Sequence, residues 1–343
     1  MSEFILVGKN LEEIEKFMVD NGQSKFRAKQ VYNWLYLKSV NDVNDMTDLP
    51  FATRQLLSEK TKLCSISIKD KQVSKDGTIK YLFELEDGNY TESVLMRFDN
   101  RANLTACIST QVGCAMGCSF CATAKLGFKR NLTSEEIIQQ IFLIQADTGL
   151  KVTNIVYMGQ GEPLLNFDNL IGSIKIFREQ FQVGARRITV STCGIIPQIN
   201  KLADMNFQST LAISLHAPNQ EIRKNIMPVA NKYKFDDLIT ALKQYTEQTG
   251  RRVTVEYVLM KDINDSVYDA EKLAVAISRL KSNVNLIVYN ENEKSSFKKP
   301  LKSSIQKFKY ILEASGKKVT IRLERGADID AACGQLSSRM SAE

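Results

Sequence analysis

From about residue 104 onward, short unbroken apolar runs alternate with longer stretches whose apolar residues recur every three to four positions. The runs are LTACIST (104–110), VTNIVYM (152–158), RITVS (187–191), STLAISL (209–215), VTVEYVL (253–259), VNLIVY (284–289) and VTIRL (319–323). Their length and β-branched content predict strands buried on both faces. The stretches between them, at 134–146, 167–181, 196–204, 235–248, 268–281 and 302–315, predict amphipathic helices. Six strand–helix units and a closing strand imply an α/β fold with a parallel sheet curled into an incomplete (β/α)6 barrel. Upstream the pattern is different. LEEIEKF, KFRAKQVYNWLYLK with Ser24 as its expected N-cap, and LPFATRQLLSEK predict a small helical unit over residues 1 to about 60. From Ser65 to Met96 short alternating stretches punctuated by Asp76-Gly77 and Asp87-Gly88 predict strands that bridge to the barrel. The expected division is an accessory helical domain with a strand linker over 1–90 and the barrel over 91–343.

The chain has 343 residues, 43% of them apolar, which supports a large core and excludes a disordered protein. A formal charge of +7 suits a polyanion such as RNA. In the second predicted helix Val31, Trp34, Leu35 and Lys38 share one face, while Lys25, Arg27 and Lys29 are interleaved with Phe26, Tyr32 and Tyr36. That is either the solvated side of an ordinary amphipathic helix or a nucleic-acid contact. The same two readings apply to Lys294, Lys298, Lys299, Lys302, Lys307 and Lys309, a stretch without acids. MSEFILVGKNLEEIEKF lacks the features of a secretion signal, and no apolar run approaches the ~18 residues of a membrane span, so a cytoplasmic protein with no membrane partner is expected. Seven scattered cysteines, an odd number, point away from a disulfide framework and toward metal or thiol chemistry.

In a parallel barrel the loops after the strands converge on one mouth. The unusual residues follow that rule. Cys114, Cys118 and Cys121 follow the first strand; Gly159, Gly161 and Glu162 follow the second; Ser191 ends the third. His216 follows the fourth, Asn290 the sixth and Cys333 the last. Singly, Ser191 could cap a helix and His216 could be a hydrogen-bonded core histidine; their shared rim is what favours a site. Three cysteines spaced CxxxCxxC either hold a structural zinc with a distant fourth ligand or hold a [4Fe-4S] cluster whose fourth iron has no protein ligand. The GQGEP stretch lacks dinucleotide-binding GxGxxG spacing, and its glycines are expected to let the backbone approach a ligand closely.

The cysteine spacing, with Phe120 before the third cysteine, and the GEP stretch resemble the radical SAM superfamily. That resemblance implies a [4Fe-4S] cluster whose open iron chelates S-adenosyl-L-methionine and whose electron yields a 5′-deoxyadenosyl radical, with Glu162 taking the cofactor's ammonium. Within it, ACISTQVGCAMGCSFCATAKLGFKRNLT, MGQGEPLLN, RRITVSTCGIIP, ISLHAPN and DIDAACGQL are similar to the RNA adenine-C2 methyltransferases, a likeness running from FRAKQVYNWLY to the end. It implies methylation of C2 of adenine 2503 in 23S ribosomal RNA and of adenine 37 in a subset of tRNAs. C2 is an electron-poor ring carbon that cannot displace a methyl group from a sulfonium, so a radical is needed. The family's relay implies that Cys333 accepts a methyl group first, that Cys107 forms a transient disulfide with it on release, and that Glu92 is a proton acceptor. Gly161, Glu162, Ser191, Ser214, Leu215, His216 and Asn290 are the implied cofactor contacts, and Cys64 and Cys193 remain structural. The implied partners are 23S rRNA, tRNA and an electron donor such as flavodoxin, with a monomeric chain. Three departures stand out: Gln160 where the family commonly has methionine, no Asn-Pro turn after Asn290, and a longer segment between Glu92 and Cys107. Two rival readings are a C8-specific rRNA methyltransferase, against which GEPLLN argues, and a zinc-stabilised RNA-binding protein without catalysis.

Overall fold

The computed structural model describes residues 3–97, 103–291, 296–322 and 324–337. At the N-terminus β1 (Phe4–Ile5) precedes α1 (Leu11–Asp20), α2 (Lys25–Asn33) and α3 (Phe51–Lys60), and β2 (Thr61–Lys62) returns to pair in parallel with β1. Helix α1 starts where the Asn10 side chain accepts from the Glu13 amide and Glu13 accepts from the Asn10 amide, a reciprocal cap. Ser24 occupies the N-cap of α2, but its hydroxyl makes no capping bond. Helix α2 widens into a π-helical turn over Trp34–Lys38. Val31 and Leu35 are buried, and the Lys38 ammonium lies 3.4 Å from the Trp34 ring centre, shielding its outer side. Phe26, Lys25 and Lys29 face solvent.

Strands β3 (Ser67–Val73), β4 (Ile79–Glu84) and β5 (Tyr90–Arg97) form an antiparallel meander that pairs through β5 with β6 (Leu104–Cys107). A short ribbon of β7 (Gln111–Gly113) and β8 (Phe128–Asn131) follows, and then the strand–helix alternation begins. It runs α4 (Ser134–Thr148), β9 (Asn154–Tyr157), α5 (Phe167–Glu179), β10 (Ile188–Thr192), α6 (Ile196–Asp204), β11 (Thr210–Ser214), α7 (Gln220–Ile226) and α8 (Phe235–Thr249). It continues through β12 (Val253–Leu259), α9 (Val267–Ala276), β13 (Ser282–Val288) and α10 (Lys302–Ala314) to β14 (Lys318–Arg322). Among the described residues the sheet has ten strands in the order β3-β4-β5-β6-β9-β10-β11-β12-β13-β14, parallel from β6 to β14. The expected partial (β/α)6 barrel is thus present, open between β14 and β3, with the antiparallel meander extending the same sheet.

The strands hold because Val253, Val255, Tyr257 and Leu259 of β12, like their neighbours, are fully buried against the helices. Each such side chain contributes about 1.5–3 kcal/mol of burial. The alternate residues point into the barrel, and this parity fixes its interior. Parallel register aligns Ser214 with Glu256 and Glu256 with Asn285, and two positions further on Ile287 aligns with Arg322. The first barrel strand is shorter than expected. It ends at Cys107 because the amides of Thr110 and Gln111 turn to the Gln160 carbonyl, at 2.9 and 3.3 Å. Helix α4 fastens this corner: Gln140 accepts from Ser93 and the Ser109 amide and donates to the Ser109 carbonyl, all buried. Gln139, beside it, donates to the Val7 carbonyl and so ties the N-terminal unit down. Of the lysines after the sixth strand, Lys294 lies outside the described residues. Lys298, Lys299 and Lys309 are paired with Glu291, Glu324 and Glu313, which reduces what that stretch can offer to phosphates.

Candidate active site

A cavity of ≈ 190 Å³ opens at the C-terminal ends of the parallel strands. Cys114, Cys118 and Cys121 line it, and so do Cys107 and Cys333. The cysteine loop is closed at its base by the β7–β8 ribbon, where the Cys114 amide donates to the Gly127 carbonyl at 2.9 Å. Gly113, at φ +73°, passes so near that carbonyl that a Cβ would overlap it. The other side of the loop is held by the chain's C-terminal segment, through Ala122 N–H to the Gly334 carbonyl at 2.8 Å and Thr123 Oγ1 to the Leu336 carbonyl at 2.8 Å. That segment also packs Ala331 and Leu336 on Val94, with Met96 and Cys107 alongside. Tertiary packing therefore brings Cys107 and Cys333, distant in sequence, to one wall.

Burial pushes the Cys114 thiol up to about 11 and Cys118 higher still, so at neutral pH a metal must displace their protons to bind. Beside them sits Arg223 of α7, with no exposed surface, donating to the carbonyls of Cys193 and Leu215. Its guanidinium acts on Cys118 through space. Sequence reasoning missed this residue; its only signal was an arginine one turn beyond SLHAPN. Among the described residues no three His, Cys, Asp or Glu side chains converge on the position of one metal ion. A single zinc would ask for that convergence; a cubane does not, because each thiolate takes a different iron. Three thiols, a buried cation beside one of them, and two buried oxygens without partners on the same cavity, Asn290 Oδ1 and Glu256 Oε2, fit an anionic cluster carrying a polar ligand.

Glu162 is buried against the cavity; its carboxylate accepts from the amides of Leu164 at 3.0 Å and Cys193 at 2.7 Å. Burial raises its pKa while those hydrogen bonds oppose the rise. Cys193, left as structural, thus helps hold Glu162 through its backbone. The two glycines of GQGEP line the cavity and also stand close against protein. A Cβ at Gly159 would lie 2.6 Å from Ser109 Oγ, and one at Gly161, φ +99°, would lie 2.6 Å from Gln111 Cβ. Gly161→Ala is therefore expected to destabilise the fold by about 2–4 kcal/mol, combining left-handed strain with overpacking, as read from the denaturant midpoint.

Ser191 and Ser214 face the cavity with hydroxyls 3.4 Å apart. His216 lines it as well; its Nδ1 accepts from the Val258 amide at 3.0 Å and its ring meets Phe120 edge-on. Burial lowers its pKa to about 3, so it is neutral at physiological pH. Leu215, by contrast, is buried away from the lining. Asn290 donates to the Cys333 carbonyl at 3.3 Å. Cys333 stands on an exposed turn, yet the surrounding protein raises its thiol's pKa, with Arg322 pulling it down. Burial pushes Cys107 up to about 12, again opposed by Arg322. All seven cysteines are free thiols, so the disulfide expected between Cys107 and Cys333 is not formed here. Glu92 does not line the cavity. It is buried one layer back on β5, 3.5 Å from the Lys80 ammonium. Gln160, the residue that departs from the family pattern, turns its side chain to Glu92: its Oε1 accepts from the Glu92 amide and its Nε2 lies 3.4 Å from the carboxylate.

The open barrel, the loop of three cysteines and the glutamate beside it define a radical SAM enzyme, and residues 108–274 match the model of the radical SAM superfamily. The chain belongs to the RlmN family of radical SAM RNA methyltransferases: residues 5–63 match the ribosomal RNA large subunit methyltransferase N-terminal domain, and full-length relatives carry the RlmN name. A protein of Alkaliphilus oremlandii named "Probable dual-specificity RNA methyltransferase RlmN" is 47% identical over 339 residues, 98% of each chain. One of the same name from Clostridium novyi is 45% identical over 329 residues, 95% of each. The crystal structure of a radical SAM methyltransferase from Sphaerobacter thermophilus superimposes with a TM-score of 0.92 at 41% identity, covering 98% of this chain and 100% of that one. Among the described residues no helix is long and apolar enough to cross a membrane.

Proposed function

We propose that this methyltransferase acts on C2 of adenine 2503 in 23S rRNA and of adenine 37 in tRNAs, through a methyl group carried on Cys333. The observation that carries the reading is that Cys107 and Cys333 line the same cavity as Cys114, Cys118 and Cys121. In this reading the three loop cysteines hold a [4Fe-4S] cluster, and Gly161, Glu162, Ser191, Ser214, His216 and Asn290 surround S-adenosylmethionine. When bound, that group supplies a methyl cation equivalent and a carbon radical able to take hydrogen from it. Cys333 provides the accepting thiolate, with the Arg322 guanidinium favouring its ionised form. Asn290 fixes the carbonyl of the turn on which the thiol stands. Cys107 provides the thiol for release. Glu92 is the proton acceptor by family resemblance, with Lys80 and Gln160 holding its carboxylate; Val94, two residues along the same strand face, lines the cavity.

The accessory unit of residues 1–90, with Phe26, Lys25 and Lys29 exposed on α2, is assigned to RNA binding, and a cytoplasmic, monomeric enzyme served by a flavodoxin-like donor completes the reading. The test is anaerobic methylation of 23S rRNA and tRNA fragments followed by nucleoside analysis. Label recovered in 2-methyladenosine is the expected result. Label in 8-methyladenosine would favour the C8 alternative, and a colourless zinc protein that transfers no methyl would overturn the enzyme reading.

A further inference from the structure

Arg223 is fully buried and does not line the cavity, but the side chains it acts on, Cys118, Cys193 and His216, all do. Two of its donors are spent on main chain: Nη2 donates to the Cys193 carbonyl and Nε to the Leu215 carbonyl at 3.3 Å. Nη1 is buried without a hydrogen-bond partner, and among the described residues no carboxylate pairs with the guanidinium. Its helix is seated on the cysteine loop. The Ile226 carbonyl at the end of α7 accepts from the Ser119 amide at 3.0 Å, and a Cβ on Gly117 would stand 3.5 Å from the Pro228 side chain. The chain just beyond Arg223 therefore packs on both neighbours of Cys118. Arginine stays ionised in proteins, and a desolvated cation without an anion is strongly destabilising. Neutral carbonyls recover part of that cost but supply no opposite charge. Such a cation asks for an anion at the loop it faces.

We propose that Arg223 is a positioning residue for the cluster: its guanidinium supplies the buried counter-charge on the Cys118 side, and so favours both the seating of the cluster and its one-electron reduction. The inference rests on the proposed reading that Cys114, Cys118 and Cys121 hold a [4Fe-4S] cluster. Three thiolates leave such a cluster anionic, and one electron from an external reductant makes it one unit more negative while no bond to the protein forms or breaks. A fixed cation beside it stabilises the reduced state more than the oxidised one, which raises the reduction potential. A purely structural arginine, present only to tie the Cys193 and Leu215 carbonyls together, would leave that potential unchanged.

The test compares anaerobically reconstituted wild-type enzyme with Arg223→Gln, which keeps a donor and loses the charge, and Arg223→Lys, which keeps the charge. Titration with dithionite and redox mediators, followed by the electron paramagnetic resonance signal of the reduced cluster, gives the ratio of reduced to oxidised cluster at each potential. Arg223→Gln is expected to lower that ratio by about 10-fold at a fixed potential, a midpoint about 59 mV more negative for a one-electron couple. Arg223→Lys is expected to stay within about 3-fold of wild type, because a point charge is retained. A wild-type ratio in fully loaded Arg223→Gln overturns the inference. So does a ratio lowered equally by lysine and glutamine, which assigns the effect to the arginine's hydrogen bonds and not to its charge. If Arg223→Gln takes up too little iron to titrate, thermal melting of the cluster-free proteins decides. A melting temperature that holds or rises places the loss in cluster seating and supports the inference, since removing the buried charge offsets the lost hydrogen bond. A lowered melting temperature, or a variant that does not fold, makes Arg223 a structural tie and overturns it. In each of these cases the proposed function stands; if the wild-type enzyme takes up no cluster, both fall.

Discussion

Cys333→Ala is expected to take up no label from methyl-labelled S-adenosylmethionine and to lose RNA methylation by at least about 10⁴-fold, as scintillation counting of protein and RNA after a single incubation would register. The size follows from the chemistry: without a thiolate there is no acceptor for the methyl group, and C2 of adenine cannot take it directly. The substitution spares the cluster ligands. Cys333 stands on an exposed turn held from outside by Asn290, and its neighbours Ala331 and Leu336 supply that turn's apolar packing on Val94. Iron content and the visible absorption of the reconstituted variant should therefore match wild type, which separates loss of the relay from collapse of the site. A variant that still methylates RNA at wild-type rate would refute the role of Cys333.

For Cys107→Ala the expected outcome is a covalent protein–RNA adduct, seen as an RNA-dependent shift in denaturing gels, with turnover reduced by at least about 10³-fold. In the proposed release step the Cys107 thiolate attacks the Cys333 sulfur. A sulfur–sulfur bond forms, the bond from that sulfur to the methylene carbon breaks, and the carbon keeps the electron pair and takes a proton. Alanine cannot do this, so the RNA stays attached. Burial raises the Cys107 pKa to about 12, Cys333 adds to the rise and Arg322 opposes it, so the thiol is protonated at neutral pH in the resting enzyme. Normal turnover by Cys107→Ala would dismiss the release role.

Much of the barrel was legible because its signals are one-dimensional. Continuous β-branched runs and helical periodicity fixed six strand–helix units, and the run at 253–259 was placed to the residue because VTVEYVL is bounded by Arg252 and by a Met-Lys-Asp turn. The first barrel strand was overcalled at LTACIST because no turn residue interrupts the run, yet beyond Ile108, which still bonds Val156, the Thr110 amide turns to the Gln160 carbonyl. The glycines of GQGEP were recognised as places of close approach, and the structure adds neighbours the sequence did not indicate, Ser109 and Gln111.

The sequence by itself determined the chain's register of chemistry: three cysteines at CxxxCxxC spacing, a glutamate beside glycines, and a cysteine after the last strand, each following a strand end. Spacing within a loop and period within an element are local properties, carried by neighbouring residues. Only the tertiary structure decided which distant groups share a cavity. It buried Arg223 beside Cys118, set Cys107 and Cys333 on one wall, turned Glu92 back toward Lys80 and Gln160, and left one oxygen of Glu256 buried without a hydrogen-bond partner. Those outcomes depend on which face of each strand points inward and on how the C-terminal segment folds back over the mouth, and both are settled by packing across the sheet.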